Sequence, residues 1–106
     1  MISQETYFAL STPNGRSATA TIRISGPNSK KTILKFFRNK NKNLKPGLNH
    51  VVSLYNKNNG LIDKCVVVYY KGPKSFTGDD MVEIHTHGNP VIIDTVSKAL
   101  LDLGVR

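Results

Sequence analysis

Apolar and polar positions alternate most cleanly over residues 18–25, where Ala18, Ala20, Ile22 and Ile24 interleave with Thr19, Thr21, Arg23 and Ser25. A period of two predicts a half-buried strand, with Arg23 on its polar face among hydroxyls. Gly26-Pro27 ends it. A short apolar-aromatic run at 6–10 predicts a preceding strand, set off by the turn text Ser11-Thr12-Pro13-Asn14-Gly15-Arg16. A second alternation, over 81–86, puts Val82 and Ile84 on one face and Glu83 and His85 on the other. The β-rich runs 51–55 and 61–70 meet across Lys57-Asn58-Asn59-Gly60, a hairpin signal. The second of them is apolar throughout from Cys65 to Tyr70, which predicts a central strand.

Two stretches carry helical spacing instead. Asn28 or Ser29 can cap a helix reaching about Arg38, with Ile33, Leu34 and Phe37 as its buried stripe. Pro90 stands at a first helical position with Asn89 as cap; Ile92, Val96, Ala99, Leu100 and Leu103 form the stripe, and Gly104 the stop. Between the first helix and the hairpin, residues 38–46 read as a polar, basic loop. The order is β-β-α-β-β-β-α. It predicts an α+β fold, a mixed β-sheet with the helices packed on one face.

Composition narrows the class. With 106 residues and 39% hydrophobic content the chain is one globular domain, 1–106. It holds no apolar run long enough to span a bilayer and no basic-then-apolar leader, so the expected location is cytoplasmic. Cys65 is the single cysteine; flanked by valines, it reads as an inert core thiol. The net charge of +8 is uneven, because residues 1–62 hold ten Lys/Arg against Glu5 alone. That asymmetry fits an RNA- or anion-binding face, and fits equally a surface rich in Lys and Asn from an A/T-biased genome.

The chemistry concentrates in residues 72–90, which hold three of the seven acids and two of the three histidines. No Gly-x-x-x-x-Gly-Lys-[Ser/Thr] loop and no Gly-x-Ser-x-Gly elbow occurs, which leaves no P-loop and no candidate nucleophile. Glu83-x-His85-x-His87 could put three metal ligands on one strand face, although Gly88 breaks the strand at once. Glu83 and Arg23 form the better pair. A carboxylate offers two adjacent acceptors to a ligand edge with two N–H donors, and an arginine could orient it or hold the ligand's polar groups. Spacing alone does not show that the two meet, and each also reads as a solvated strand residue. His87 reads as a structural hydrogen-bonder, and Thr77-Gly78-Asp79 as either a tight turn or a ligand contact.

Two motifs coincide. Thr12-Pro13-x-Gly15-Arg16 with Ile22-Arg23-Ile24-Ser25-Gly26 resembles the opening of the MnmE/TrmE tRNA-modification GTPases. Gly72-Pro73-x-Ser75-Phe76-Thr77-Gly78-Asp79-Asp80-x-x-Glu83-x-x-x-His87-Gly88 resembles their second N-terminal signature. Departures fall at Ser11, where Ala is common in the family, at Asp79, where Glu is, and at Asn89-Pro90; residues 29–64 show little specific resemblance. His85 falls at a variable position and receives no role.

The resemblance implies a fold similar to folate-binding aminomethyltransferase domains, a homodimer, and a 5-formyl-tetrahydrofolate site with Arg23 and Glu83 as its contacts. It also implies a larger protein whose helical and G domains lie outside this chain. That protein would hydrolyse GTP with Mg and K, and would work with a flavoprotein of the MnmG/GidA type on the wobble uridine of tRNA. The fragment alone would then be no enzyme. The alternative is a basic RNA-contacting module without folate binding.

Overall fold

The computed structural model describes residues 6–11, 19–73 and 78–106. Seven elements follow in the expected order: β1 (Tyr7–Leu10), β2 (Thr19–Ser25), α1 (Ser29–Leu34), β3 (Asn49–Tyr55), β4 (Leu61–Tyr70), β5 (Met81–His87) and α2 (Pro90–Asp102). The strands make one five-stranded sheet in the order β1-β2-β5-β4-β3. Last in the chain, β5 is central in the sheet and joins the β1–β2 pair to the β3–β4 hairpin. The apolar β4 is interior, one place from the centre.

The expectation of a mixed sheet is corrected, since all four strand pairings are antiparallel. Parallel neighbours need a long crossover. Too few residues separate β1 from β2, β3 from β4 and β4 from β5 for such a crossover, and β2 also pairs antiparallel with β5. Hydrogen bonding of the parallel kind occurs only beyond β1, among the described residues. There Arg106 N–H donates to the Thr6 carbonyl and Phe8 N–H to the Arg106 carbonyl.

Both helices lie on one face. Ile33, Phe36 and Phe37 from α1 and its exit, and Val96 and Leu100 from α2, pack in one core cluster with Ile22, Ile24, Val67, Val82 and Ile84 of the strands. The alternations at β2 and β5 therefore face the core as read, in register: Ile22 opposite Ile84, Ile24 opposite Val82. Ala18 lies outside the described residues. Cys65 is a free, buried thiol, its pKa pushed up to about 12 by burial and the nearby Asp63 charge. It stays protonated and inert, as read.

Helix α1 is shorter than expected, ending at Leu34 rather than near Arg38. Phe36 and Phe37, both buried in the core cluster, follow the end of the helix. The chain leaves the helix, and the Phe36 carbonyl instead accepts from Tyr55 N–H at the end of β3. Asn28 stands at the N-cap without a side-chain cap bond. Helix α2 matches its expectation closely: Asn89 accepts from Val91 N–H at 2.8 Å, Pro90 opens the helix, and Gly104 leaves it at φ +90°.

Candidate functional site

With the helices on one face, the polar residues of β2, β5 and β4 share the other. Arg23 and Glu83 are directly opposed across the β2–β5 ladder. Opposed residues on one face of an antiparallel pair bring their Cβ atoms within about 5.5 Å, so their side chains can meet. Arg23 Nε donates to Glu83 Oε2 at 2.7 Å, a charge-assisted contact. The Arg23 Nη1 group donates to Ser11 Oγ at 3.0 Å, which puts a use on one of the positions where this chain departs from the family pattern.

Three further residues extend the pair into a network. The Tyr70 hydroxyl, reaching from β4, donates to Glu83 Oε1 at 3.2 Å. His85 Nε2 stands 3.5 Å from the same oxygen. On the far side of the ring, His85 Nδ1 is hydrogen-bonded to Thr21 Oγ1 at 3.1 Å. Sequence reasoning missed Tyr70, Thr21 and Ser11 and gave His85 no role. The signal that could have found Thr21 and His85 was the polar alternation itself, extended one step along each strand. Tyr70 had none, since only the β4–β5 register brings it beside Glu83.

The network fixes the charge on Glu83. Partial burial pushes its carboxyl pKa up. The Arg23 hydrogen bond and charge, the Tyr70 hydroxyl and His85 together outweigh that, and hold it below the usual carboxylate value. The Tyr70 phenol is raised by its own burial and by the adjacent carboxylate, so it remains a donor. Glu83 is thus an ionised two-oxygen acceptor whose side chain is only 13% exposed, with Arg23 as its fixed counter-charge.

The turn before β5 positions this strand. Asp80 accepts from Gly72 N–H through Oδ1 at 2.9 Å, and its carbonyl accepts from Gly26 N–H at 2.9 Å. One residue thereby ties the end of β4 to the end of β2. A Cβ on Gly72 would lie 2.6 Å from the Gly78 carbonyl oxygen, so only glycine fits. Gly78 has φ +83° with open space around it, a backbone reason for glycine, in line with the tight-turn reading; Thr77 lies outside the described residues. The family-like positions Thr12, Pro13, Gly15, Arg16, Ser75 and Phe76 also lie outside them.

The three candidate metal ligands do not converge. The His87 ring turns to Asp63, with Nδ1 at 2.8 Å from Oδ1, while its backbone N–H donates to Oδ2 at 3.0 Å. Glu83 is held by Arg23 and Tyr70, and no group of three His, Cys, Asp or Glu side chains suited to a metal occurs among the described residues. His87 is therefore a structural hydrogen-bonder in geometry. It satisfies an acid that is buried at the sheet's inner side. No helix among the described residues is long and apolar enough to cross a membrane.

A family profile described as "GTP-binding protein TrmE N-terminus" matches residues 6–106. Curated relatives are similar over nearly the whole chain. A tRNA modification GTPase MnmE of Legionella pneumophila (strain Corby) is 44% identical over 99% of this chain and 23% of the relative. The MnmE of Fervidobacterium nodosum is 41% identical over 99% and 24% respectively. That of Granulibacter bethesdensis is 39% identical over 99% and 23%. The chain thus spans about a quarter of the length of the relatives it matches.

Proposed function

The chain belongs to the TrmE N-terminal family, and on that premise we propose that it is the tetrahydrofolate-binding and homodimerisation domain of a tRNA-modification GTPase. In this reading it binds 5-formyl-tetrahydrofolate and has a fold similar to aminomethyltransferase domains. It works in the cytoplasm with an MnmG/GidA-type flavoprotein on the wobble uridine of tRNA, while GTP is hydrolysed elsewhere in the full-length protein. The chain's own part is to bind and orient, with no catalytic residue of its own.

One observation carries the folate reading: the cross-strand Arg23–Glu83 pair. A pterin edge presents two adjacent N–H donors, and an ionised carboxylate locked in one orientation is their complement. Arg23 donates to Oε2 through Nε, and a carboxylate with about four acceptor positions keeps capacity beyond that bond. The remaining requirement is that Glu83 keep its charge, and its depressed pKa meets it.

The RNA reading has the basic first half in its favour. Against it, two of those cations are already engaged on aromatic rings: Arg38 lies 4.1 Å from the centre of the Tyr55 ring and Lys30 5.2 Å from that of Tyr69. Those rings serve protein cations rather than stacked bases. Tight, sequence-selective RNA binding at physiological salt would favour this alternative.

Calorimetric titration with 5-formyl-tetrahydrofolate tests the proposal. Glu83→Gln keeps the shape but turns one acceptor into a donor facing donors. It should cost on the order of 2–3 kcal/mol, about 30- to 150-fold in affinity. Arg23→Lys keeps the charge, loses the fork and should weaken binding less. A folded Glu83→Gln protein that binds as tightly as the parent would remove Glu83 from the site.

A further inference from the structure

Tyr70 faces two ways. Its hydroxyl ends on Glu83 Oε1 at 3.2 Å. The same residue lines a cavity of about 480 Å³, shared with Pro46, Gly47, Lys71, Gly72 and Pro73 at the end of β4. The cavity thus begins one side chain away from the carboxylate, and its volume falls in the range of small-molecule sites. Resting on the reading of Glu83 as the pterin contact, we propose that this cavity is a second subsite for the same ligand. It takes the aminobenzoyl-glutamate tail of a folate, with Lys71 holding the tail's carboxylates.

The walls suit a flat ring. Two prolines, two glycines and a tyrosine offer ring faces and bare peptide planes, and Lys71 is the one charged residue among them. An aromatic group finds offset and edge contacts on such surfaces. Both bordering loops are tied down. Gly47 N–H donates to the Tyr69 carbonyl at 2.7 Å, and Gly72 N–H donates to Oδ1 of Asp80, just before β5, at 2.9 Å. Walls fixed before the ligand arrives lower the ordering cost of binding.

Lys71 supplies the charge. It is exposed and pairs with no carboxylate among the described residues. Arg23, the cation nearest Glu83, is already engaged by that carboxylate and by Ser11. A folate is complementary to this arrangement from end to end: N–H donors for Glu83, an aromatic middle for the cavity, and anions for the Lys71 ammonium. A bare pterin would use Glu83 and leave the cavity and Lys71 untouched.

That difference is the experiment. Titration calorimetry compares 5-formyl-tetrahydrofolate with 6-methyl-5-formyl-tetrahydropterin, which keeps the double ring and lacks the tail. The parent should bind the full ligand about tenfold more tightly, with the margin shrinking as salt rises. Lys71→Met keeps the stem and loses the charge; it should erase most of that margin and leave the tail-less compound unaffected, while Lys71→Arg retains it. Nuclear Overhauser contacts should join the aminobenzoyl protons to the Tyr70 ring. Equal binding of the two compounds by the parent, an undiminished margin in Lys71→Met, or the absence of those contacts would each overturn the tail subsite and leave the Glu83 site standing. A parent that binds neither compound would sink the folate reading, and the subsite with it.

Discussion

Arg23 and Glu83 are 60 positions apart and touch at 2.7 Å. Each residue was marked in the sequence by type, a charge on the polar face of a strand, and neither carried any sign of the other. Gly72 shows the same division. Gly-Pro reads as a turn, yet the reason for glycine is the Gly78 carbonyl oxygen, 2.6 Å from where a Cβ would sit. Because that obstacle is backbone and not a flexible side chain, Gly72→Ala must shift the turn. It should cost about 1–3 kcal/mol, as overpacking does, seen in a denaturant melt as a lower midpoint at unchanged slope. Since Asp80 ties this turn to the end of β2, the same variant should also weaken folate binding. A stability equal to the parent's would mean that the turn relaxes without strain.

The elements were legible where a local pattern decides them. The alternations of β2 and β5, the Asn-Gly hairpin and the capped α2 all stand where the period and the turn residues put them. Asn89 takes a helix donor that would otherwise be unsatisfied. Asn89→Ala should cost about 1 kcal/mol, which for a domain of this size lowers the melting temperature by roughly 4–8 °C. Calorimetric melting checks it, and an unchanged temperature would show that Pro90 alone starts the helix. Helix α1 was misread in length. Its exit is set by tertiary contacts, with two buried phenylalanines and a carbonyl given to β3, and helical propensity does not register them.

At the scale of the whole molecule, the sheet has helices on one face and a polar network on the other. Its rims carry exposed apolar side chains: Tyr7 and Leu10 on β1, Val51 on β3. Edge strands of this kind invite a second copy. On the proposed reading the chain should be a homodimer at micromolar concentration by light scattering. A monomer would mean that the dimer needs parts of the protein beyond this chain, or that the proposal fails here.

Some of this protein was determined by the sequence alone. Hydrophobic period, turn chemistry and capping act within about a dozen residues, and they set the element order, the buried faces and the family signature. The tertiary structure decided what those elements bring together. β5, last to be made, enters the centre of the sheet, and its antiparallel register against β2 and β4 sets Glu83 between Arg23 and Tyr70. The same closure turned His87 away to Asp63 and brought His85, which the sequence left without a role, within 3.5 Å of Glu83. Register is a property of the closed sheet, fixed by burying Ile22, Ile24, Val82 and Ile84 on one side, since a one-residue slip of either strand would turn its own pair to the other face.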